Sequence, residues 1–255
     1  MLSQERLYYI MSLIRTKSFV SIAELMQDLH VSKSTVNRDL IELEEKGLIK
    51  RERGGAVLKK MAATLSSFNE ISVNDKEFLQ TDEKKLVCDQ AALTIQDGEC
   101  IYIDSGTTPV WLLPHLAGRH LKLVTVSPYL LQKLPPNFIG DVYLLGGEFH
   151  PQLNMSMGPM TMELIERFNF DRAYLTTNGV NAETGEVYIF DFSVGAIKSA
   201  VMKRSQRNYL LIDDTKFNTR GLCTWTHTRH FDQIYVNSFP SHLDMPDNYT
   251  LCAPQ

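Results

Sequence analysis

The sequence predicts an α/β protein in two parts: a small helical head, then a larger domain in which strands and helices alternate. Three observations lead there. Apolar residues between 6 and 43 recur at helical spacing, whereas from residue 98 onward short apolar runs alternate with helical patterns. Charge divides at the same place, with residues 1–60 carrying a net +3 and the remainder −7. The 255 residues suffice for one small and one large domain.

Composition excludes several classes. With 44% hydrophobic and 22% charged residues, the chain is neither a disordered tail nor a fibre. No apolar run approaches the roughly 20 residues of a membrane-spanning helix. The start, Met1-Leu2-Ser3-Gln4-Glu5-Arg6, lacks the pattern of a secretory signal. Cys88, Cys100, Cys223 and Cys252 are far apart and form no C-x-x-C pair, so reduced thiols and a cytoplasmic location are expected. No membrane contact, cofactor or metal is implied. His227 and His230 offer two imidazoles three apart, with no third ligand nearby in sequence.

In the head, Leu7, Ile10, Met11 and Ile14 mark one helix. Ser21-Ile22-Ala23-Glu24 is a capping box opening a second helix that ends near His30. Ser32 caps a third, continued by Val36, Leu40 and Leu43 and stopped by Gly47. Two short helices a few residues apart make a helix-turn-helix, whose second helix enters the major groove with its N-terminal residues. Those residues are Ser32, Lys33, Ser34, Thr35, Asn37 and Arg38, hydroxyls and long donors suited to phosphates and base edges. Residues 48–57 then read as strand, glycine turn, strand: a wing carrying Lys50, Arg51 and Arg53.

Residues 31–40 (VSKSTVNRDL), Leu43-Glu44, Gly47 and Arg51-Glu52-Arg53-Gly54-Gly55-Ala56 resemble the head of the DeoR family of bacterial transcriptional regulators. The family pattern reads V-S-x-x-T-[IV]-R-R-D-L-x-x-L-E-x-x-G, then R-x-x-G-G-A. Asn37 stands where the first arginine of the R-R-D pair is usual, so base preference is expected to differ from that of relatives, because Asn pairs with adenine.

The head is expected over 1–58, a linker over 59–76, the α/β domain over 77–238 and a C-terminal extension over 239–255. Thr81 is read as the N-cap of the first helix of the large domain. Strands are expected near 100–104, 121–126, 142–145, 173–177, 209–213 and 233–236, with helices between them. Such sheets bind ligands at the carboxyl ends of their strands. Asp104-Ser105-Gly106-Thr107-Thr108 supplies hydroxyls and a glycine at one end, suited to phosphate. Ser127, Gly146-Gly147 and Asp213 with Lys216 stand at others, and Lys198 lies on a helix able to face the anion.

Here too the residues resemble the family. D-x-G-T-T (Asp104, Gly106, Thr107, Thr108), T-x-S (Thr125, Ser127), Gly146-Gly147, Asn178-Gly179, Lys198 and D-x-[ST]-K (Asp213, Thr215, Lys216) stand in its order. The resemblance implies a regulator, usually a repressor, of carbohydrate metabolism genes. It implies operator DNA and a phosphorylated sugar as partners, a dimer or tetramer, and an effector domain similar in fold to ribose-5-phosphate isomerase. Val126 replaces the usual asparagine of T-N-S, and the common acidic residue before the helix lysine is absent around Val194-Gly195. An active sugar-phosphate isomerase carrying a DNA-binding head is the rival. Isomerases of that fold carry a D-G-A-D-type acidic loop, whereas the equivalent here is Asn178-Gly179-Val180-Asn181, and an amide cannot take the proton that isomerisation moves.

Overall fold

The structure is a computed structural model in which residues 6–7, 9–11, 13–14, 19–46, 48–52, 54–58 and 79–253 are described. Gly47, Arg53 and the expected linker at 59–76 lie outside the described residues. The chain forms two compact units, 1–62 and 63–255.

In the first unit, residues 6–7, 9–11 and 13–14 are helical. Strand β1 (Phe19–Ser21) leads into α1 (Ile22–Leu29) and α2 (Lys33–Glu45). Each helix starts at a serine cap: Ser21 accepts from the Glu24 amide, and Ser32 from the Thr35 amide. His30, left-handed at φ 52°, ends α1 and turns the chain toward α2. Strands β2 (Ile49–Glu52) and β3 (Gly55–Leu58) form the wing, and β1 joins β3 as a third antiparallel strand. Ile10, Ile14, Leu25, Val36, Leu40 and Leu43 fill the core. Asp39 is buried on the inner face of α2, and the Arg6 guanidinium donates to both its oxygens at 2.8 and 3.0 Å.

In the second unit, α3 (Thr81–Ala92) precedes the first strand. Its N-cap is Gln80, left-handed at φ 51°, and not Thr81, which is the first helical residue. The Gln80 carbonyl already accepts from the Lys84 amide at 2.9 Å, so the helix begins one residue earlier than the hydroxyl signal suggested. Strands β4 (Cys100–Ile103), β5 (Lys122–Thr125) and β6 (Asp141–Leu144) follow, with a 3-10 helix over Pro109–Leu116 and the short α4 (Pro128–Leu131) between them. An antiparallel hairpin, β7 (Glu148–His150) and β8 (Met155–Met157), leads to α5 (Pro159–Glu166) and β9 (Phe170–Leu175). Strands β10 (Gly179–Val180) and β11 (Glu186–Ile189) come before α6 (Phe192–Lys203) and β12 (Ser205–Ile212). Strands β13 (Cys223–His227), β14 (Gln233–Val236) and β15 (Tyr249–Leu251) complete the order.

The large sheet runs β15-β14-β12-β9-β4-β5-β6, and every neighbouring pair is parallel. Strand β15 comes from the expected C-terminal extension and pairs beside β14. Alternate residues feed two cores, as a sheet covered on both faces requires. Ile101, Ile103, Leu123 and Leu211 pack under α3 and the 3-10 helix, while Tyr102, Val124, Leu210 and Ile212 pack under α5 and α6. The small sheet β10-β11-β13 has no counterpart in the sequence reading. From β4 the chain builds outward in one direction through β5 and β6, and in the other through β9, β12, β14 and β15. The crevice between the ends of β4 and β9 is therefore the switch point at which such sheets bind ligands.

Replacing Asp39 with alanine strands a half-buried guanidinium. We expect a loss of about 2 kcal/mol, read by hydrogen exchange at the buried amides of α2; unchanged protection would mean that the pair does not hold the head together.

Candidate functional site

On the head, Ser32, Lys33, Ser34 and Arg38 are exposed, and Thr35 and Asn37 are half-buried beside them. The cap consumes part of this surface, because the Ser32 hydroxyl meets Ser34 Oγ at 2.8 Å and Thr35 Oγ1 at 3.0 Å. On the wing, Lys50 and Arg51 are exposed. Glu44, from the last turn of α2, accepts from the Arg51 amide at 2.9 Å and from its Nε at 2.7 Å, which fixes the wing against the helix. The expected basic residues Lys33, Arg38, Lys50 and Arg51 are thus all exposed, and Arg53 is outside the described residues.

In the second unit a cavity of about 70 Å³ sits at the switch point. Ser105–Thr108 after β4 and Thr176–Asn178 after β9 form its polar wall, joined by Lys198 and Lys216. Leu153, Met155, Ile189 and Val194 close the apolar side. Gly106 sits at φ 128°, a conformation reserved for glycine, and lets the loop turn beside Thr176.

Asp104 is fully buried and faces inward rather than into the cavity. Its Oδ1 accepts from the Ser105 amide at 2.9 Å, and its Oδ2 from the Thr176 amide at 2.9 Å and hydroxyl at 3.2 Å. Lys198, from α6, completes the set with an ion pair to Oδ2 and also lines the cavity. Asp213 is equally buried; it caps its own turn by accepting from Thr215 and lies 3.9 Å from Lys216 Nζ. Burial would raise the Asp213 carboxyl, but Lys216, the Thr215 hydroxyl and Lys84 overcome that and hold it below the usual carboxylate range.

Like Asp104 and Asp213, three further expected residues do not line the cavity. The Ser127 hydroxyl caps α4 by accepting from the Leu130 amide and donates to the Asn154 carbonyl. Gly146 offers its carbonyl to the Thr161 hydroxyl at 2.8 Å. Gly147, at φ 145°, has no room for a Cβ, which would fall 2.0 Å from Thr161 Oγ1; the pair seats the start of α5.

The sequence reading missed Lys84. It is 3% exposed, and its Nζ donates to Thr107 Oγ1 at 2.8 Å. A lysine in an otherwise apolar stretch of helix face was the available signal. Thr176 and Thr177 were also missed, as the hydroxyl pair that follows β9.

Other clusters carry less chemistry. His227 donates from Nε2 to the Thr184 carbonyl at 2.7 Å and accepts the Arg229 amide at Nδ1, so both nitrogens serve the fold. Among the described residues no group of three metal-binding side chains comes together. A wider groove of about 880 Å³ lies along β10, β11 and residues 238–243, with Glu183, Glu186 and Asp214 on its walls. Arg220 and His242 stand on the same walls, and among the described residues no lysine does.

Lys198→Met leaves the Asp104 carboxylate buried without its cation. We expect about 3–5 kcal/mol of lost stability in urea denaturation; a loss under 1 kcal/mol would mean that Asp104 takes up a proton or water at little cost. Asp213, depressed on folding, contributes stability above its unfolded value near pH 4, and that contribution disappears as pH falls through the folded value. Asp213→Asn should therefore flatten the stability–pH curve below about pH 4 relative to wild type; parallel curves would remove Asp213 as an acid-sensitive group.

Comparisons with known proteins agree with this division of the chain. Residues 6–62 match the DeoR-like helix-turn-helix domain, and residues 79–238 the DeoR C terminal sensor domain. A lactose phosphotransferase system repressor of Staphylococcus aureus is 32% identical over 237 residues, covering 91% of each chain. A glycerol-3-phosphate regulon repressor of Escherichia coli is 29% identical over 232 residues, covering 91% of this chain and 89% of the relative. Among solved structures, ribose 5-phosphate isomerase A of Methanocaldococcus jannaschii is 14% identical over 53% of this chain and 54% of its own, with a TM-score of 0.39. The eIF2B beta subunit of Chaetomium thermophilum is 16% identical over 56% and 40%, with a TM-score of 0.40. With a helix-turn-helix head and a sensor domain both matched in order, this chain belongs to the DeoR family of transcriptional regulators.

Proposed function

We propose that the chain represses genes of carbohydrate uptake or metabolism by holding operator DNA with α2 and the wing. A phosphorylated sugar bound at the switch-point cavity changes that hold. The observation that carries the reading is the convergence of Ser105–Thr108 with Lys198 and Lys216 at the end of β4, with Lys84 directly behind Thr107. Hydroxyls, loop amides and ammonium groups are the donors a phosphate requires. The names of the relatives, one for a lactose phosphotransferase system and one for a glycerol-3-phosphate regulon, support the same ligand class. The protein acts in the cytoplasm as a symmetric dimer or tetramer, whose paired heads match paired half-sites.

The cavity binds its ligand without turnover. Aldose–ketose isomerisation needs a base poised near neutrality. The described residues lining the cavity include no carboxylate. Asn178 Oδ1 accepts the Phe190 amide, and Asn181 Oδ1 accepts the Glu183 and Thr184 amides. Glu183 and Glu186 line the wider groove instead, and hydrogen bonds from Tyr188 and Thr184 hold Glu186 below its usual range, away from the value a base needs.

Thermal denaturation against a panel of sugar phosphates and the matching free sugars tests the reading. At a hundredfold excess over its dissociation constant the ligand should add about 2.7 kcal/mol to the domain. We expect a shift with a phosphorylated sugar, none with its free form, and loss of the shift in Thr107→Ala; shifts by free sugars alone, or none at all, would refute phosphate recognition. On the DNA side, Arg38→Ala should weaken operator binding about evenly across sequences, while Asn37→Ala should relax preference at one base position. Unchanged binding by both variants would remove α2 from the interface.

A further inference from the structure

Helix α3 is fastened to the Ser105–Thr108 loop at two points one turn apart. Lys84 Nζ donates to Thr107 Oγ1 at 2.8 Å, and Cys88 Sγ donates to the Thr108 carbonyl at 3.1 Å. Residues four apart share a helix face, so both anchors stand side by side, and both are buried. Apolar neighbours such as Val87 and Ala91 already seat the helix on the sheet. The Lys84 ammonium also helps hold the buried Asp213 carboxyl below the usual carboxylate range, so its charge joins the loop to the end of β12.

The start of α3 is poorly tied down. Gln80 is left-handed at φ 51°; among the described residues no side chain caps the first turn, and Thr81 Oγ1 is buried without a hydrogen-bond partner. A left-handed non-glycine residue and an unmet buried hydroxyl each cost the present arrangement free energy that a second arrangement of that end would recover. In the sequence α3 is also the first element after residues 59–78, through which the domain continues from the head.

We infer that Lys84 is a positioning residue that passes the occupancy of the phosphate loop to the start of α3. An anion seated on Ser105–Thr108 competes for the Thr107 hydroxyl and attracts the Lys84 ammonium. The helix end then exchanges its present arrangement for the alternative. Only a ligand that favours one arrangement over the other shifts the balance, and the Lys84–Thr107 contact supplies that difference. The inference rests on the phosphate reading proposed above.

Hydrogen exchange on the full chain, with inorganic phosphate as the probe and chloride at matched ionic strength as the control, separates the two. In wild type, phosphate should change exchange severalfold both in peptides covering 105–112 and in those covering 81–86. In Lys84→Met the loop should still respond, at higher phosphate, while 81–86 no longer do; Lys84→Gln serves as the second variant should the first fail to fold. A wild-type loop that responds without α3 would overturn the inference and leave the phosphate reading standing. The inference falls in the same way if either variant keeps the α3 response once the loop is saturated, or merely raises exchange of α3 equally with and without phosphate, as a structural role would. No response anywhere in wild type would remove the phosphate reading and the inference together.

Discussion

The Asp104 carboxylate is the junction on which the sensor domain depends. It follows β4, it accepts from the amide and hydroxyl of Thr176 after β9, and it pairs with Lys198 from α6. Strand, neighbouring strand and covering helix therefore meet at one buried anion. A charge in that position is tolerable only with a full set of donors, and the set is full. The loop that follows inherits its place from this junction, because the Ser105 amide is itself one of the donors. Counting Lys84, Lys198 and Lys216 against Asp104 and Asp213, the surroundings of the cavity remain cationic. The aspartates thus orient the lysines without cancelling them, a division suited to an anionic ligand that also offers hydroxyl groups.

The head follows a parallel logic on a smaller scale. Asp39 is buried with Arg6, and Glu44 is committed to Arg51. Asp39 and Glu44 are thereby turned to internal use, while Lys33 and Arg38 remain exposed. Those two side chains offer positive charge that a polyanion would meet.

Much of this was legible in the sequence because its signals are local. Ser21 and Ser32 announce helix starts by hydrogen bonds within three residues, and both cap as expected. The wing is a hairpin around Gly54, and the hydroxyl-rich turn at 105–108 follows directly on its strand. What escaped was long-range. Strand order places β9 beside β4 although β5 to β8 intervene, so the meeting of Thr176 with Asp104 has no local signature. Lys84 lies 23 residues before its partner Thr107. Ser127 and Gly146-Gly147 have the composition of ligand-binding turns, yet they are absorbed by a helix cap and a close packing contact. Composition alone does not separate those uses. Thr81 shows the same limit within a single turn, since the backbone of Gln80 decides where α3 starts.

The strand order also sets when the sensor comes into being. Ile101 pairs with Arg172, and the cavity draws on loops at 105–108 and 176–178, on Lys198 and on Lys216. A chain emerging from the ribosome carries its complete head long before it has both sides of that crevice. Parallel pairings so distant in sequence form late, after the loops between them have closed. The helix-turn-helix head is thus synthesised first and the sensor domain completed last, so a nascent chain passes through a form that has a head and no complete sensor domain.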